Sequence, residues 1–239
     1  MRGAGESDFK VRWDRVLDRV EQAARWAGRD PNTIQVVAVS KGVPVECLRE
    51  AWDAGCRTFG ESRVQEALAK MEALGAGPTW HLIGPLQANK VRAAVGRFSL
   101  IQAVDRVEVA ERLDRVARER GLIQTVLLEV NIAEEPTKHG FSPRGLMGAV
   151  EQMGSCAGLR VLGLMAIPPA AVSPEVTRSY FKQVRQLAAH VEARRVPGIS
   201  MTELSLGMSG DFDIAIEEGA TMVRIGTALF GPHRGEGKV

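Results

Sequence analysis

The sequence has few aromatic residues, 5% of 239, and a single tyrosine, Tyr180. It has three cysteines, Cys47, Cys56 and Cys156, an odd set without CxxC spacing. Those read as reduced thiols in a reducing compartment, in a chain long enough to build its core without disulfides or metal. No run approaches the ~18 uninterrupted apolar residues of a membrane span. The opening stretch MRGAGESDFKVRWDRV has no apolar segment of the signal-peptide kind. The expected location is therefore the cytoplasm. Charge of neither sign dominates: 31 Lys and Arg against 29 Asp and Glu leave a formal +2, which argues against nucleic acid or an anionic membrane as a partner. No two of the four histidines have metal-ligand spacing, and neither a GxSxG nor a P-loop pattern occurs. No metal site is expected.

What is present is a rhythm. Apolar residues make up 45% and charged residues 25%, as in soluble globular proteins. From Asp8 to Ala27, Trp13, Val16, Leu17, Val20 and Ala24 recur at helical spacing. After GRDPNT, short apolar runs alternate with amphipathic helices. The runs are Ile34–Ser40, RTFG, TWHLIG, SLIQAV, QTVLLEVN, RVLGLMAI, TELSLG and TMVRIGTALFG. Helices are expected between Pro44 and Gly55, around Val64, Leu68 and Met71, from about Asn89, behind a cap at Asp105, after Pro143, from Ser173–Pro174, and from about Asp211. Eight strands alternating with helices predict an α/β fold, a single (β/α)8 barrel with an extra N-terminal helix. An open doubly wound sheet is the weaker alternative, since no long insertion or switch point is visible. No linker divides the chain, so residues 1–239 read as one domain, with a frayed tail HRGEGKV.

In such barrels the working residues lie at the carboxyl ends of the strands. VVAVSKG ends the first strand on Lys41. A lysine there is either solvated or, aimed into a closed site, a nucleophile. The other strand-end candidates are Glu61, Ser62, Gly84, Gln87, Asn89, Asp105, Asn131, Met165, Ala166, Ser205, Gly207, Ser209, Arg224, Gly226 and Thr227. SLGMSGD follows the seventh strand and RIGT the eighth, where this fold frequently binds phosphate. A phosphate cup opposite a lysine suits a phosphorylated aldehyde, and pyridoxal phosphate is the commonest cofactor of that kind. On the residues alone, glycine and serine in SLGMSGD also fit turn and cap roles, and Arg224 also fits a structural ion pair. His81 faces either the core or the barrel mouth. His139 falls in a polar loop, His190 and His233 look solvent-facing, and Met201, Met208 and Met222 read as core filler.

The motifs VAVSKG, FGESRVQEA, WHLIGPLQANK, GLMAIPP, LSLGMSGD and MVRIGTALFG occur in an order that resembles the YggS/PROSC group, the pyridoxal phosphate homeostasis proteins, over nearly the whole chain. The resemblance implies the barrel of the alanine racemase N-terminal domain. It implies that Lys41 joins pyridoxal phosphate as a Schiff base, that Ser209, Gly226 and Thr227 bind the phosphate, and that Arg224 faces the pyridine nitrogen. His81 and Asn89 match positions near the cofactor, and Ser62, Met165 and Gly207 complete the expected binding set. One departure is that the family usually reads FGEN where this chain has FGES, so Ser62 offers a shorter side chain with fewer donors.

Two functions are compatible with that set. One is a non-catalytic carrier, expected to be a monomer, that holds the cofactor and passes it to pyridoxal-phosphate-dependent apoenzymes. The other is an amino-acid racemase. Racemisation requires an acid or base on each face of the substrate carbon. The opposite base in racemases is a tyrosine from a second subunit's C-terminal domain, and here Tyr180 falls in a helix away from the expected mouth. That favours the carrier. The loop AEEPTKHG is expected to line the mouth, where Lys138 is either a second amine or a solvated loop residue.

Overall fold

The computed structural model describes residues 8–169 and 173–232. His233 and the tail beginning there lie outside them, so neither expectation is addressed. The chain opens with helix α1 (Asp8–Trp26). Phe9, Trp13, Val16, Val20 and Ala24 recur every three or four residues, which puts them on one buried stripe. Leu17, expected there too, is 39% exposed at the edge of that stripe.

Eight strands follow: β1 (Gln35–Val39), β2 (Thr58–Glu61), β3 (Thr79–Leu82), β4 (Leu100–Val104), β5 (Gln124–Val130), β6 (Leu159–Ala166), β7 (Ile199–Ser205) and β8 (Met222–Ile225). Each pairs in parallel with the next, and β8 returns to β1 from Gln35↔Met222 to Ala38↔Ile225, closing the barrel. Parallel strands must be covered on both faces, which is why they read as continuous apolar runs; all five residues of β4 are buried. The helices between them are α2 (Val45–Asp53), α3 (Val64–Leu74), α4 (Val91–Ala94), α5 (Val107–Glu119), α6 (Pro143–Met153), α7 (Pro174–Glu192) and α8 (Phe212–Glu217). A further turn, α9 (Thr227–Phe230), follows β8 and is too short to show a helical period in sequence.

The core has two layers. The larger lies between strands and helices. A smaller apolar cluster built only from strand residues, Leu100, Ala103, Leu127, Met165 and Met222, fills the middle of the barrel. Strands β6 and β7 approach closely where their register shifts, between Val161 and Gly163. A Cβ on Gly163 would sit 1.7 Å from the Glu203 carbonyl oxygen, so only glycine fits there.

Three local expectations change. Asp105 does not cap α5, whose N-cap is Arg106 without a side-chain bond. Two side chains claim the Asp105 carboxylate instead, the Arg106 guanidinium with Nη1 at 2.8 Å and the His139 ring with Nδ1 at 3.1 Å. On α3 the buried face is Val64, Ala67 and Lys70, with Leu68 and Met71 half-buried beside it. Met208 is exposed at 42% rather than core, and Met201 is half-buried; only Met222 of the three is buried.

Candidate functional site

The closure of β8 on β1 decides the site. The register that pairs Ala38 with Ile225 carries Val39 to Gly226, whose missing Cβ would lie 3.4 Å from Val39 Cβ. Lys41, two residues on, comes alongside the turn at Thr227. A cavity of about 410 Å³ opens at these strand ends. Its polar lining is Lys41, Ser62, Ser209, Arg224 and Thr227, with backbone from Gly210 and Gly226. Its apolar walls are Val39, Ile83, Ile167 and Met208.

The cavity brings together Lys41, Ser62, Ser209, Arg224, Gly226 and Thr227. Lys41 is exposed, and its amine has no hydrogen-bond or ion-pair partner among the described residues. Ser209 Oγ accepts the backbone N–H of Ala228 at 3.2 Å and so ties the turn after β7 to α9. Asp211, on the same turn, accepts the Met208 N–H at 2.6 Å. Arg224 is 3% exposed, with Nη1 donating to Ser205 O and Oγ, both at 2.6 Å, and Nη2 to Ala166 O at 2.9 Å. Burial pulls its pKa down to about 10, opposed by Glu129 and Asp211, so it stays a cation at neutral pH.

Four expected residues lie outside the lining. Met165 belongs to the interior apolar cluster. Gly207 shapes the turn after β7, at φ +83°, and its carbonyl accepts the Arg224 N–H at 3.0 Å. Asn89 is exposed on the 3₁₀ turn Ala88–Lys90. His81 is 4% exposed inside the barrel, where Gln102 Nε2 meets its Nδ1 at 3.0 Å. Gln102 Oε1 accepts Ser205 Oγ at 2.7 Å. The chain Arg224–Ser205–Gln102–His81 thus crosses the barrel from β8 and β7 to β4 and β3. Arginine can only donate, so the chain has one polarity, and His81 Nδ1 receives its last proton donor. Burial pulls the His81 pKa down to about 4, which keeps the ring neutral.

Other strand-end candidates are occupied elsewhere. Asn131 closes its own loop, its amide donating to Glu135 O at 2.7 Å while its Oδ1 accepts the Glu135 N–H. Lys138 pairs with Glu135 at 2.6 Å and lies 3.4 Å from the carbonyl oxygen of Ile167, a wall residue. Tyr180 is half-buried on α7, packed against the core, and not in the lining. The sequence reading missed Gln102, Glu129 and Lys70. Glu129 is buried at the end of β5, with Oε2 lacking any partner among the described residues. Burial and then the nearby Asp105 push its pKa up, against His139 and Arg224. The signal for Gln102 was a lone polar residue in the apolar strand SLIQAV; the signal for Lys70 was its place three residues beyond Ala67 on the inward face of α3.

The chain matches the family of the alanine racemase N-terminal domain over residues 11–234. It is 43% identical over 224 residues to the pyridoxal phosphate homeostasis protein of Aquifex aeolicus, covering 93% of this chain and 97% of that one. It is 42% identical to the protein of that name from Pseudomonas aeruginosa, covering 91% and 92%. The chain belongs to the pyridoxal phosphate homeostasis family. A solved member of comparable similarity is PipY of Synechococcus elongatus PCC7942 with PLP bound, at 41% identity and a TM-score of 0.79, covering 89% of this chain and all of that one. The family match and the closed barrel agree on the alanine racemase N-terminal fold.

Proposed function

We propose that this chain holds pyridoxal phosphate in the cavity at the ends of β1, β7 and β8 and serves its homeostasis as a carrier. The donor set fits the group. Lys41 offers a primary amine without a competing partner, suited to the cofactor's aldehyde. Ser209 and Thr227 offer hydroxyls to a phosphate, beside the backbone of Gly210 and Gly226. Val39, Ile83, Ile167 and Met208 supply apolar walls for a flat ring. Bound pyridoxal phosphate supplies a reactive aldehyde and an electron-withdrawing ring. Arg224 remains protonated with its bonds to Ser205 and Ala166 made, and so is a poor proton donor. In this reading His81 acts at a distance, through Gln102 and Ser205, by fixing Arg224.

The observation that carries the carrier reading is the composition of the lining. Among the described residues it contains one amine and no carboxylate, imidazole or phenol. Racemisation needs a proton-transferring group on both faces of the reacting carbon. The reading includes a monomeric single barrel acting in the cytosol and giving its cofactor to apoenzymes. The unpaired cysteines support a reducing compartment, and among the described residues no helix is long and apolar enough to cross a membrane. The test is to load the protein, mix it with a cofactor-free transaminase, and, in a separate sample of the loaded protein alone, follow conversion of L-alanine to D-alanine. Transfer without inversion is expected; D-alanine formed at enzymatic rates would establish the racemase instead.

A further inference from the structure

Lys70 is a buried cation that the cofactor site does not use. It lies on α3 with 6% exposure, in line with Val64 and Ala67 on a face otherwise apolar. An ammonium has three N–H donors, and here all three are committed. Nζ donates to Glu61 Oε1 at 2.5 Å, to Ser40 O at 2.6 Å and to Glu66 Oε1 at 2.7 Å. These contacts reach both neighbours of Lys41 in the chain, Ser40 directly and Gly42 through Glu66. Ser40 is the residue before it, and Gly42, the residue after it, donates its N–H to the same Glu66 Oε1 at 2.8 Å. Glu61 also accepts Ser40 Oγ at 3.0 Å, and its other oxygen takes the N–H of Ser62 at 3.0 Å. One buried ammonium therefore joins both backbone flanks of Lys41 to the β2 end that carries Ser62 into the cavity.

Burying ions is costly, and a well-packed apolar side chain in their place is often neutral or stabilising. Anchoring α3 alone does not require an ammonium at position 70. What an apolar residue could not do is hold Ser40 and, through Glu66, Gly42. We propose that Lys70 is a positioning residue for Lys41, fixing the backbone on either side so that the Lys41 amine projects into the cavity. The proposal rests on the reading of Lys41 as the amine that takes the cofactor's aldehyde.

The test compares two ligands that share ring and phosphate. Pyridoxal phosphate carries the aldehyde; pyridoxine 5′-phosphate carries an alcohol there and cannot join an amine. In wild type the aldehyde is expected to give much tighter binding. Lys70→Met is expected to weaken pyridoxal phosphate about tenfold or more while changing pyridoxine 5′-phosphate by less than about twofold, since preorganisation of the amine is what is lost. Should Lys70→Met not fold, Glu66→Ala tests the same link, because that side chain is 30% exposed. Glu66→Ala is expected to shift in the same direction, and Glu66→Gln, which keeps an acceptor for the Gly42 N–H, to stay near wild type. Equal weakening of both ligands, or of neither, overturns the positioning role. Wild type binding both ligands alike would instead overturn the reading of Lys41, and the proposal with it.

Discussion

His81 gives the sharpest quantitative consequence of the buried network. Its ring is held neutral inside the barrel, with a pKa near 4 because burial disfavours the imidazolium. In the unfolded chain the same ring titrates near 6.5. The folded value is the lower one, so the stability contributed by the neutral ring is present above about pH 6.5 and drains away as pH falls. The loss is complete below about pH 4, where both states carry the proton. At 1.36 kcal/mol per pH unit, the interval from 6.5 to about 4 corresponds to about 3 kcal/mol. The hydrogen bonds act in the same direction. A proton on Nδ1 would face the Gln102 amide, whose carbonyl is already taken by Ser205 Oγ. His81→Asn removes the titration and keeps an acceptor for Gln102. Urea unfolding of both proteins from about pH 7.5 to pH 4 isolates the term, because the carboxylates titrate alike in each. The stability of wild type relative to His81→Asn is expected to fall by about 3 kcal/mol over that range. A difference that stays flat with pH refutes the assignment of a buried neutral ring.

Three further outcomes are expected. Glu129→Gln should raise the melting temperature at neutral pH. Because the Glu129 pKa is raised in the fold, any stability the group provides is present at low pH and lost as pH rises, so the gain should vanish near pH 4. An unchanged or lower neutral-pH melting temperature would show that the carboxylate is better satisfied than its orphaned oxygen indicates. Gly207→Ala should cost about 1–3 kcal/mol in urea unfolding. The residue sits at φ +83°, and its Cβ would meet Ala215 Cβ at 2.6 Å and Phe212 Cα at 2.8 Å; a neutral effect would mean the turn after β7 relaxes freely. Thr227→Val should weaken retention of pyridoxal phosphate by about 1–3 kcal/mol if the hydroxyl serves the phosphate. An unaltered dissociation constant would move the phosphate elsewhere.

The barrel was legible because its strands are short apolar runs separated by helices of clear period; β4 falls where SLIQAV puts it, and α5 follows Asp105 as expected, with Val109, Leu113 and Val116 buried on one face. The strand-end rule then located Lys41, Ser209 and Thr227 on one cavity, since parallel strands in a closed barrel all end on the same side. What lay beyond the sequence was which way interior side chains point across the barrel. Gln102 on β4 and Ser205 on β7 are 103 residues apart in sequence and on strands that do not pair, yet they are hydrogen-bonded across the closed barrel. Asp105 looked like a cap because a helix follows it, but the guanidinium of the next residue and the His139 ring from a loop far along the chain take its carboxylate instead of the helix N–H groups. Lys70 was hidden by the habit of reading lysine as a solvated residue, although its helical phase placed it inward.

The central claim is that Lys41, in the turn just after β1 (Gln35–Val39), is the amine that takes the cofactor. The direct measurement is to incubate the protein with pyridoxal phosphate, reduce it with borohydride, and locate the phosphopyridoxyl group by peptide mass spectrometry. The account predicts one dominant adduct on Lys41, absent from Lys41→Ala. An adduct spread over surface lysines, or one centred on Lys138 or Lys90 with Lys41 unmodified, would contradict it.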